Sequence, residues 1–573
     1  MSIEPQPWEW VALAGAVLGA GIERFTRAAR APMVERLSKA TPARVPLLFR
    51  RFALDAALLA LVLLTSLPVL RSLWSRLGPF GSPMGPDADE NFLAAIALER
   101  GLPAVYASDR YPAFAWLVAL VASGPLDVHP AAVRLSAGFA LAAGVAAYVL
   151  GRQLGGPAVG AVASALTLRL PGIVDVSRQF TPYMMVACLD LVAVALTLGL
   201  LRGRRLGVPL AVVLAVLWAA DPKQMPVVLG FVAVGGCASL AHRSLVGVVG
   251  ALALVAAVPV ANRAAASLGV QIFSVEEIAG RVDLGLVAPP VPAAGGYRLG
   301  GDLRALPATL ERLASTRPRS SRGWLHERVR TSLPMEFPRT SLLWLLPAAL
   351  GCFSLRAGWR RALVTPLAVA PLAPLLVATL HLHFQHRYFA GLAAPLPALV
   401  GAGIALVGGP GAAIGAGLVA LCWPTSPWSG VAPGLLGRPP VNAEPWTGRE
   451  PPDWAQALSQ AVDRLPEGAV VVDYSQSRPW TMLAAPFDYH RCSQARDGCR
   501  SVVGAGGSPL VAVLVPGEAL SVAAPGASSL AGQVDDAATI GSCWTVALNR
   551  PGPGAAYLWT CPEPPSAGVG RGP

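Results

Sequence analysis

Lysine is almost missing from this chain. Of its 45 basic residues only Lys39 and Lys223 are lysines, and arginine supplies the rest. Charge of either sign is scarce too: 14% of the 573 residues are charged, against roughly 25% in an ordinary soluble chain. That scarcity excludes a water-soluble globule. The 54% hydrophobic content and mean hydropathy of +0.53 exclude a disordered chain. Histidines and cysteines are few, seven and eight, and the cysteine spacings of the C-terminal region do not match a zinc site. No nucleic-acid-binding motif and no internal repeat is present, so the net charge of +12 is read as a membrane-orienting charge and not as the footprint of a nucleic acid.

What the chain has in quantity is long apolar runs. A bilayer-crossing helix needs about 20 apolar residues, and the clearest candidates are 52–70, 130–150, 182–201, 206–220, 225–241, 244–261, 362–381 and 389–408. Weaker ones are 8–22, 156–174, 341–355 and 410–424, while 112–124 reads as a helix lying on the membrane surface. Segment 23–51 carries eight basic residues against two acids and is the strongest cytoplasmic signal. Arg152, Arg202, Arg204, Arg205, His242–Arg243, Arg356, Arg360 and Arg361 fall on that same side if the spans alternate. About twelve transmembrane helices result, with both termini outside. If 8–22 only lies on the surface, the N-terminus moves inside and nothing downstream changes.

The expected organisation is therefore an N-terminal helix and basic cytoplasmic loop (1–51), a transmembrane domain (52–423) with outer loops 71–129 and 263–340, a Pro-rich linker (424–452) and a small soluble α/β domain (453–573). The second loop holds eleven arginines and seven acids, which its length excuses from the positive-inside trend. The tail, with nine arginines and twelve acids after residue 423, combines helical periodicity at Trp454–Leu465 with strand-like runs at Ala469–Tyr474, Leu510–Val515, Cys543–Leu548 and Ala555–Cys561. Cys492, Cys499, Cys543 and Cys561 lie there, in an oxidising location that allows disulfides; neighbours pairing is the expectation among three arrangements. Cys188, Cys237, Cys352 and Cys422 sit in spans and read as packing residues.

The first outer loop is the most informative stretch. Asp87, Asp89 and Glu90 put three carboxylates in four residues just before an apolar helix ending at Glu99–Arg100–Gly101. One of them is placed to act as general base on an acceptor hydroxyl while another holds a cation or a sugar hydroxyl. The same pattern also serves as an N-terminal helix cap, because acids there complement the helix dipole. Lys223 and Arg387 stand at span ends, where a cation either steadies a phosphate or snorkels to the interface. His381, His383 and His386 sit at spacings that do not share a helical face, so they read as the mouth of a site or an interfacial helix end before they read as metal ligands. Asp190 lies in mid-span, where an ionisable group is costly and is a functional candidate by default; a structural pair with another span is the competing reading.

Taken in order, Asp89–Glu90, Tyr111–Pro112, Arg134–Leu135, Gly151–Arg152, the run Val176-Ser177-Arg178-Gln179-Phe180-Thr181-Pro182-Tyr183, Asp221-Pro222-Lys223 and Arg387–Tyr388 resemble the bacterial GT-C glycosyltransferases. Those include the protein-mannosyltransferase-like and lipid A aminoarabinose-transferase-like enzymes. The likeness covers about residues 50 to 410, by order and topology more than by one diagnostic motif. It implies an inner-membrane, multi-pass, inverting enzyme that draws a sugar from a polyprenyl-phosphate donor at the outer, periplasmic face, with Asp89 the best-matched catalytic residue and Glu90 second. Lys223, Arg178 and Arg387 would then bind the donor phosphate, and Tyr183, His386 and Tyr388 would line the site. No cofactor is required, a divalent cation is compatible with the acidic cluster, and the further partners are membrane lipids and an acceptor the sequence does not name. Two departures stand out. Arg110-Tyr111-Pro112 replaces a His-Pro-Pro or Lys-Pro-Pro motif. Ser177-Arg178-Gln179-Phe180-Thr181-Pro182-Tyr183 lacks the acid and arginine common in relatives. The alternative class is a non-catalytic lipid or glycan transporter, or a surface-glycan assembly factor, on the same scaffold.

Overall fold

Apolar runs punctuated by glycine, proline and arginine become helices, and the described part of the chain is largely helical. The computed structural model describes residues 7–38, 53, 55–67, 91, 95, 98–99, 105–107, 113–124, 127–177, 181–221, 224–242, 271–273, 345–353, 363–373, 390–423, 426, 428, 470–473, 488–491, 510–516, 544–548 and 556–562. Its helices are α1 (Pro7–Ser38), α2 (Asp55–Leu67), α3 (Ala113–Val121), α4 (Val128–Gly155), α5 (Pro157–Leu168), α6 (Pro171–Val176), α7 (Tyr183–Leu201), α8 (Gly207–Ala220), α9 (Met225–Ala241), α10 (Leu345–Cys352), α11 (Val364–Val369), α12 (Ala390–Ala393) and α13 (Leu396–Cys422). Its strands are β1 (Val105–Ala107), β2 (Gln271–Phe273), β3 (Val470–Asp473), β4 (Asp488–Arg491), β5 (Leu510–Pro516), β6 (Trp544–Leu548) and β7 (Ala556–Pro562). Among the described residues, Ala131–Gly155, Tyr183–Leu201 and Ala390–Cys422 are long and apolar enough to cross a membrane. The chain divides into one unit of 1–77, 133–260 and 301–441 and another of 78–132, 261–300 and 442–573.

In the first unit, consecutive helices pack as antiparallel hairpins. α4 turns into α5 at Gly156 (φ 94°), with Pro157 starting the new helix, where its missing N–H costs nothing. α7, α8 and α9 follow one another down, up and down, and pack on each other. One end of this bundle gathers the basic helix ends. Asp55, at the start of α2, accepts hydrogen bonds from the Tyr148 hydroxyl and Arg152 Nε, each 2.8 Å, and its other oxygen lies 2.6 Å from an Arg152 amino nitrogen. Arg202, capping α7, donates to the Gln153 carbonyl at 2.7 Å, and the His242 ring meets the Leu201 carbonyl at 3.2 Å. The arginines and histidine expected on one side, 152, 202, 204, 205 and 242, thus share an end. Residues 244–261 lie outside the described residues.

α13 is two antiparallel arms, 396–408 and 411–422. Gly401 lies against Val159 of α5 and Gly417 against Val162, one turn further on. A straight helix would hold residues 401 and 417 about 24 Å apart, so the chain reverses between them. The reversal is at Gly409 (φ 83°, ψ 174°), followed by Pro410. That backbone conformation is open to glycine alone. The separate apolar runs 389–408 and 410–424 correspond to these arms.

α1 packs along the second arm in the opposite direction. Gly15 faces Gly415 and Gly19 faces Gly411, so closely that a Cβ on Gly15 would stand 2.8 Å from the Gly415 carbonyl oxygen. Glu23, one further helical step along, accepts a hydrogen bond from the Gly411 amide, the first free N–H of the second arm. At the other extremity Trp8 meets Trp428 edge to face, ring centres 5.4 Å apart. The helix continues to Ser38, well beyond the apolar run 8–22. A Gly-to-Gly seam of this kind lets backbones approach where apolar burial alone does not drive helices together.

α10 departs from the expected alternation. Pro347 lies opposite Gly403 and Gly351 opposite Leu399, so α10 runs antiparallel to the first arm of α13. Strict alternation through 341–355, 362–381 and 389–408 would make them parallel. The described part of the middle run is short and broken: α11 is six residues long and passes into a 3₁₀ turn at Ala370–Leu372, where Pro371 removes a backbone donor.

In the second unit, residues 91, 95, 98 and 99 are helical, with Asn91 and Ala95 buried one turn apart. α3 buries Phe114, Ala115 and Val118 while Trp116 and Leu120 stay exposed, so its two sides differ. β1 and β2 pair in parallel, Val105 with Gln271 through Ala107 with Phe273, tying the first outer loop to the second. The C-terminal strands form a five-stranded sheet in the order β4-β3-β5-β7-β6. β3 is parallel to β4 and β5, and β7 is antiparallel to both its neighbours. The expected helix Trp454–Leu465 and Cys492, Cys499 and Cys543 lie outside the described residues, whereas Cys561 is in β7. Of the span cysteines, Cys188 is buried, Cys352 half-buried, and Cys237 and Cys422 exposed, so only the first fits a packing role.

Candidate active site

Asp87, Asp89, Glu90, Arg178, Lys223, Arg387, His386 and Tyr388 lie outside the described residues; of the candidate site residues, Tyr183 is described. It is the first residue of α7 and is buried. Its place follows from the hairpin geometry. α7 ends at the basic end of the bundle, and nineteen residues carry it about 28 Å away. Tyr183 therefore marks the opposite end.

The described neighbours of the three candidate cations converge on that opposite end. Ser177 and Thr181, which bracket Arg178 in sequence, are buried there beside the start of α7. Asp221 and Gln224, which bracket Lys223, are buried at the α8–α9 junction, where the Gln224 amide donates to the Asp221 carbonyl at 3.0 Å. α12 packs on α7 and begins three residues after Arg387. The α8–α9 junction is recessed, because α8 has fourteen residues where α7 has nineteen, a difference of about 7 Å.

Asp190 is fully buried in α7, and neither of its carboxylate oxygens has a hydrogen-bond partner among the described residues. It stands about 17 Å from the basic end of its helix and Asp221 about 21 Å along the neighbouring one, within one turn of the same level. Asp221 is its electrostatic neighbour. Two buried acids, Asp190 and Asp221, thus lie on neighbouring helices near the α8–α9 junction. Gln224 had no signal in the sequence beyond its place next to Pro222 and Lys223. Its buried Oε1, without a hydrogen-bond partner among the described residues, adds a polar group to that junction. Among the described residues no group of three or more His, Cys, Asp or Glu is arranged to hold a metal.

No family model matches the sequence. No curated protein matches it either. Among solved structures the chain is similar to ArnT from Cupriavidus metallidurans in the apo state, at 14% identity and a TM-score of 0.40, covering 87% of this chain and 97% of that one. The same enzyme bound to undecaprenyl phosphate gives 16% identity, a TM-score of 0.40 and the same coverage. The archaeal oligosaccharyltransferase AglB from Archaeoglobus fulgidus, in complex with an inhibitory peptide and a dolichol-phosphate, gives 12% identity and a TM-score of 0.44 over 80% of this chain and 69% of that one. These solved neighbours are GT-C superfamily glycosyltransferases.

Proposed function

We propose that the chain is a membrane-embedded glycosyltransferase that moves a sugar from a polyprenyl-phosphate donor to a lipid, glycan or protein acceptor at the periplasmic face of the bacterial inner membrane. Asp89 takes the proton from the acceptor hydroxyl or amine as that group attacks the anomeric carbon. The bond from that carbon to the phosphate oxygen breaks, and the lipid phosphate leaves with the electron pair. Lys223, Arg178 and Arg387 stabilise the charge that gathers on the leaving phosphate, the interaction of greatest weight in such a transfer. Glu90 and Asp87 hold the acceptor or a cation, and Tyr183, His386 and Tyr388 shape the mouth.

The observation that supports the reading most is the polarity of the helical bundle. Its basic helix ends gather at one end, and the described neighbours of all three candidate cations lie at the other. A lipid-phosphate enzyme needs that division: anchoring arginines on the cytoplasmic side and a few partly sunken cations at the opposite surface. The test is to incubate the purified chain in liposomes with a panel of polyprenyl-phosphate sugars and follow release of free polyprenyl phosphate. One donor consumed in proportion to protein supports the reading, whereas no release from any donor, with the chain folded and acceptors supplied, rejects it.

A further inference from the structure

The basic end of the helical bundle carries two cations that the fold does not use. α7 closes there on a left-handed glycine, Gly203 (φ 83°), in the turn 202–206 that leads into α8. The Arg202 amide donates to the Leu198 carbonyl at 3.3 Å, the Gly203 amide to the Leu200 carbonyl at 2.8 Å and the Arg204 amide to the Gly199 carbonyl at 3.1 Å. The remaining carbonyl of the last turn, that of Leu201, meets the His242 ring at the cap of α9. The four carbonyls that a helix end leaves open are thus all occupied. The Arg202 side chain is engaged as well, reaching the Gln153 carbonyl at 2.7 Å. Arg204 and Arg205 have no such task. Both are exposed, and among the described residues no carboxylate pairs with either.

These cations stand at the head of an apolar track. In α8, which leaves the turn at Gly207, Val208, Val212 and Val216 are exposed while Leu210, Leu214 and Leu217 are buried. Spaced four residues apart, the three valines lie one above another on a single face over about 12 Å. The turn itself, Arg-Gly-Arg-Arg-Leu, holds no acid. His242 is exposed beside it, its ring 3.6 Å from the point that a Gly203 Cβ would occupy. A guanidinium binds phosphate oxygens through two parallel N–H donors and is weakly hydrated. Unpaired arginines at a helix end, with exposed valines leading away along one helix, match the two parts of a phospholipid. Basic pockets between helix ends at a bilayer surface are where anionic head groups settle.

We propose that the turn 202–206 is a binding site for an anionic membrane phospholipid: Arg204 and Arg205 hold the phosphate, and an acyl chain lies along Val208, Val212 and Val216. Two other arginines at this end have contacts inside the protein, Arg152 with Asp55 and Arg202 with the Gln153 carbonyl, which leaves Arg204 and Arg205 to the lipid. The site lies at the opposite end of α7 from Tyr183 and takes no part in glycosyl transfer. When occupied, it fixes the α7–α8 hairpin to the membrane surface.

The experiment uses the full chain, stripped of lipid in detergent, and native mass spectrometry to follow binding of phosphatidylglycerol or of phosphatidylcholine with the same acyl chains. Phosphatidylglycerol should bind saturably and about tenfold more tightly than phosphatidylcholine. R204Q/R205Q should weaken its binding by about 10- to 30-fold, the attraction of two arginines to an anionic lipid, and leave the unfolding temperature unchanged. V212N, which interrupts the apolar track, should weaken it about fivefold. R24Q/R27Q, which removes the same charge from α1, should bind as the parent chain does. Equal losses in the two double variants would mean that net charge alone attracts the lipid, and would overturn the site. Absence of any preference for phosphatidylglycerol would overturn it too. Soluble glycerol phosphate should not compete; full competition would make the ligand a free phosphate and reject the phospholipid. No sugar donor is present, so the outcome is independent of the transferase reading.

Discussion

At Asp55 one carboxylate joins α2 to α4 through three contacts, with Tyr148 and twice with Arg152. Arg152 is 47% exposed, so water replaces part of what the pair loses. D55A should therefore cost about 1–2 kcal/mol, read as a lowered unfolding temperature in detergent, and Y148F should cost less than D55A. Lys223 belongs to the same scale. K223Q should slow transfer by about 100- to 1,000-fold, the size of a lost contact to transition-state charge, while leaving the unfolding temperature unchanged; an equal drop in both would make it a structural residue. The acids at 87, 89 and 90 stand out in the sequence because charge is scarce in the chain, and they lie outside the described residues. Gln224 was not, since one amide beside a proline has no periodic context. Asp190 was legible as an anomaly, but its neighbour Asp221 required the register of two antiparallel helices.

Among the elements, the helices with an uninterrupted apolar pattern were read almost to the residue: 225–241 is α9, and 182–201 and 206–220 begin one residue before α7 and α8. The strands at Ala469–Tyr474, Leu510–Val515, Cys543–Leu548 and Ala555–Cys561 likewise match β3, β5, β6 and β7. β4 escaped because Asp488, His490 and Arg491 leave Tyr489 as its one apolar side chain and no alternation to read, and the second half of α1 because its charges read as a loop. The direction of α10 was illegible for another reason: composition identifies an apolar run but not the sense in which it crosses. Gly409 is the point where an element depends on one residue. G409A should cost about 1–3 kcal/mol through its backbone conformation. G19L should detach α1 from the second arm of α13, because the Gly411 backbone fills the space that its side chain needs. A cysteine pair A16C/A412C should crosslink in the parent chain and fail to do so with G19L added; crosslinking that persists would mean that the seam is not required.

Across the whole molecule, the scarce charges form the pattern. The arginine-rich helix ends at one end of the bundle lead to a topology prediction that reporter fusions can check. A phosphatase active only outside the cytoplasm should be inactive when fused after Arg205 and active when fused after Pro573. The central claim is narrower than the topology: Asp89 activates the acceptor for attack on a lipid-phosphate sugar. Its most direct test is the single-turnover rate of polyprenyl-phosphate release by D89N in proteoliposomes, beside the parent chain. The account predicts a fall of about 100- to 10,000-fold, the contribution of a general base, with an unfolding temperature like that of the parent. Release within tenfold of the parent rate would contradict it and move the base to another residue.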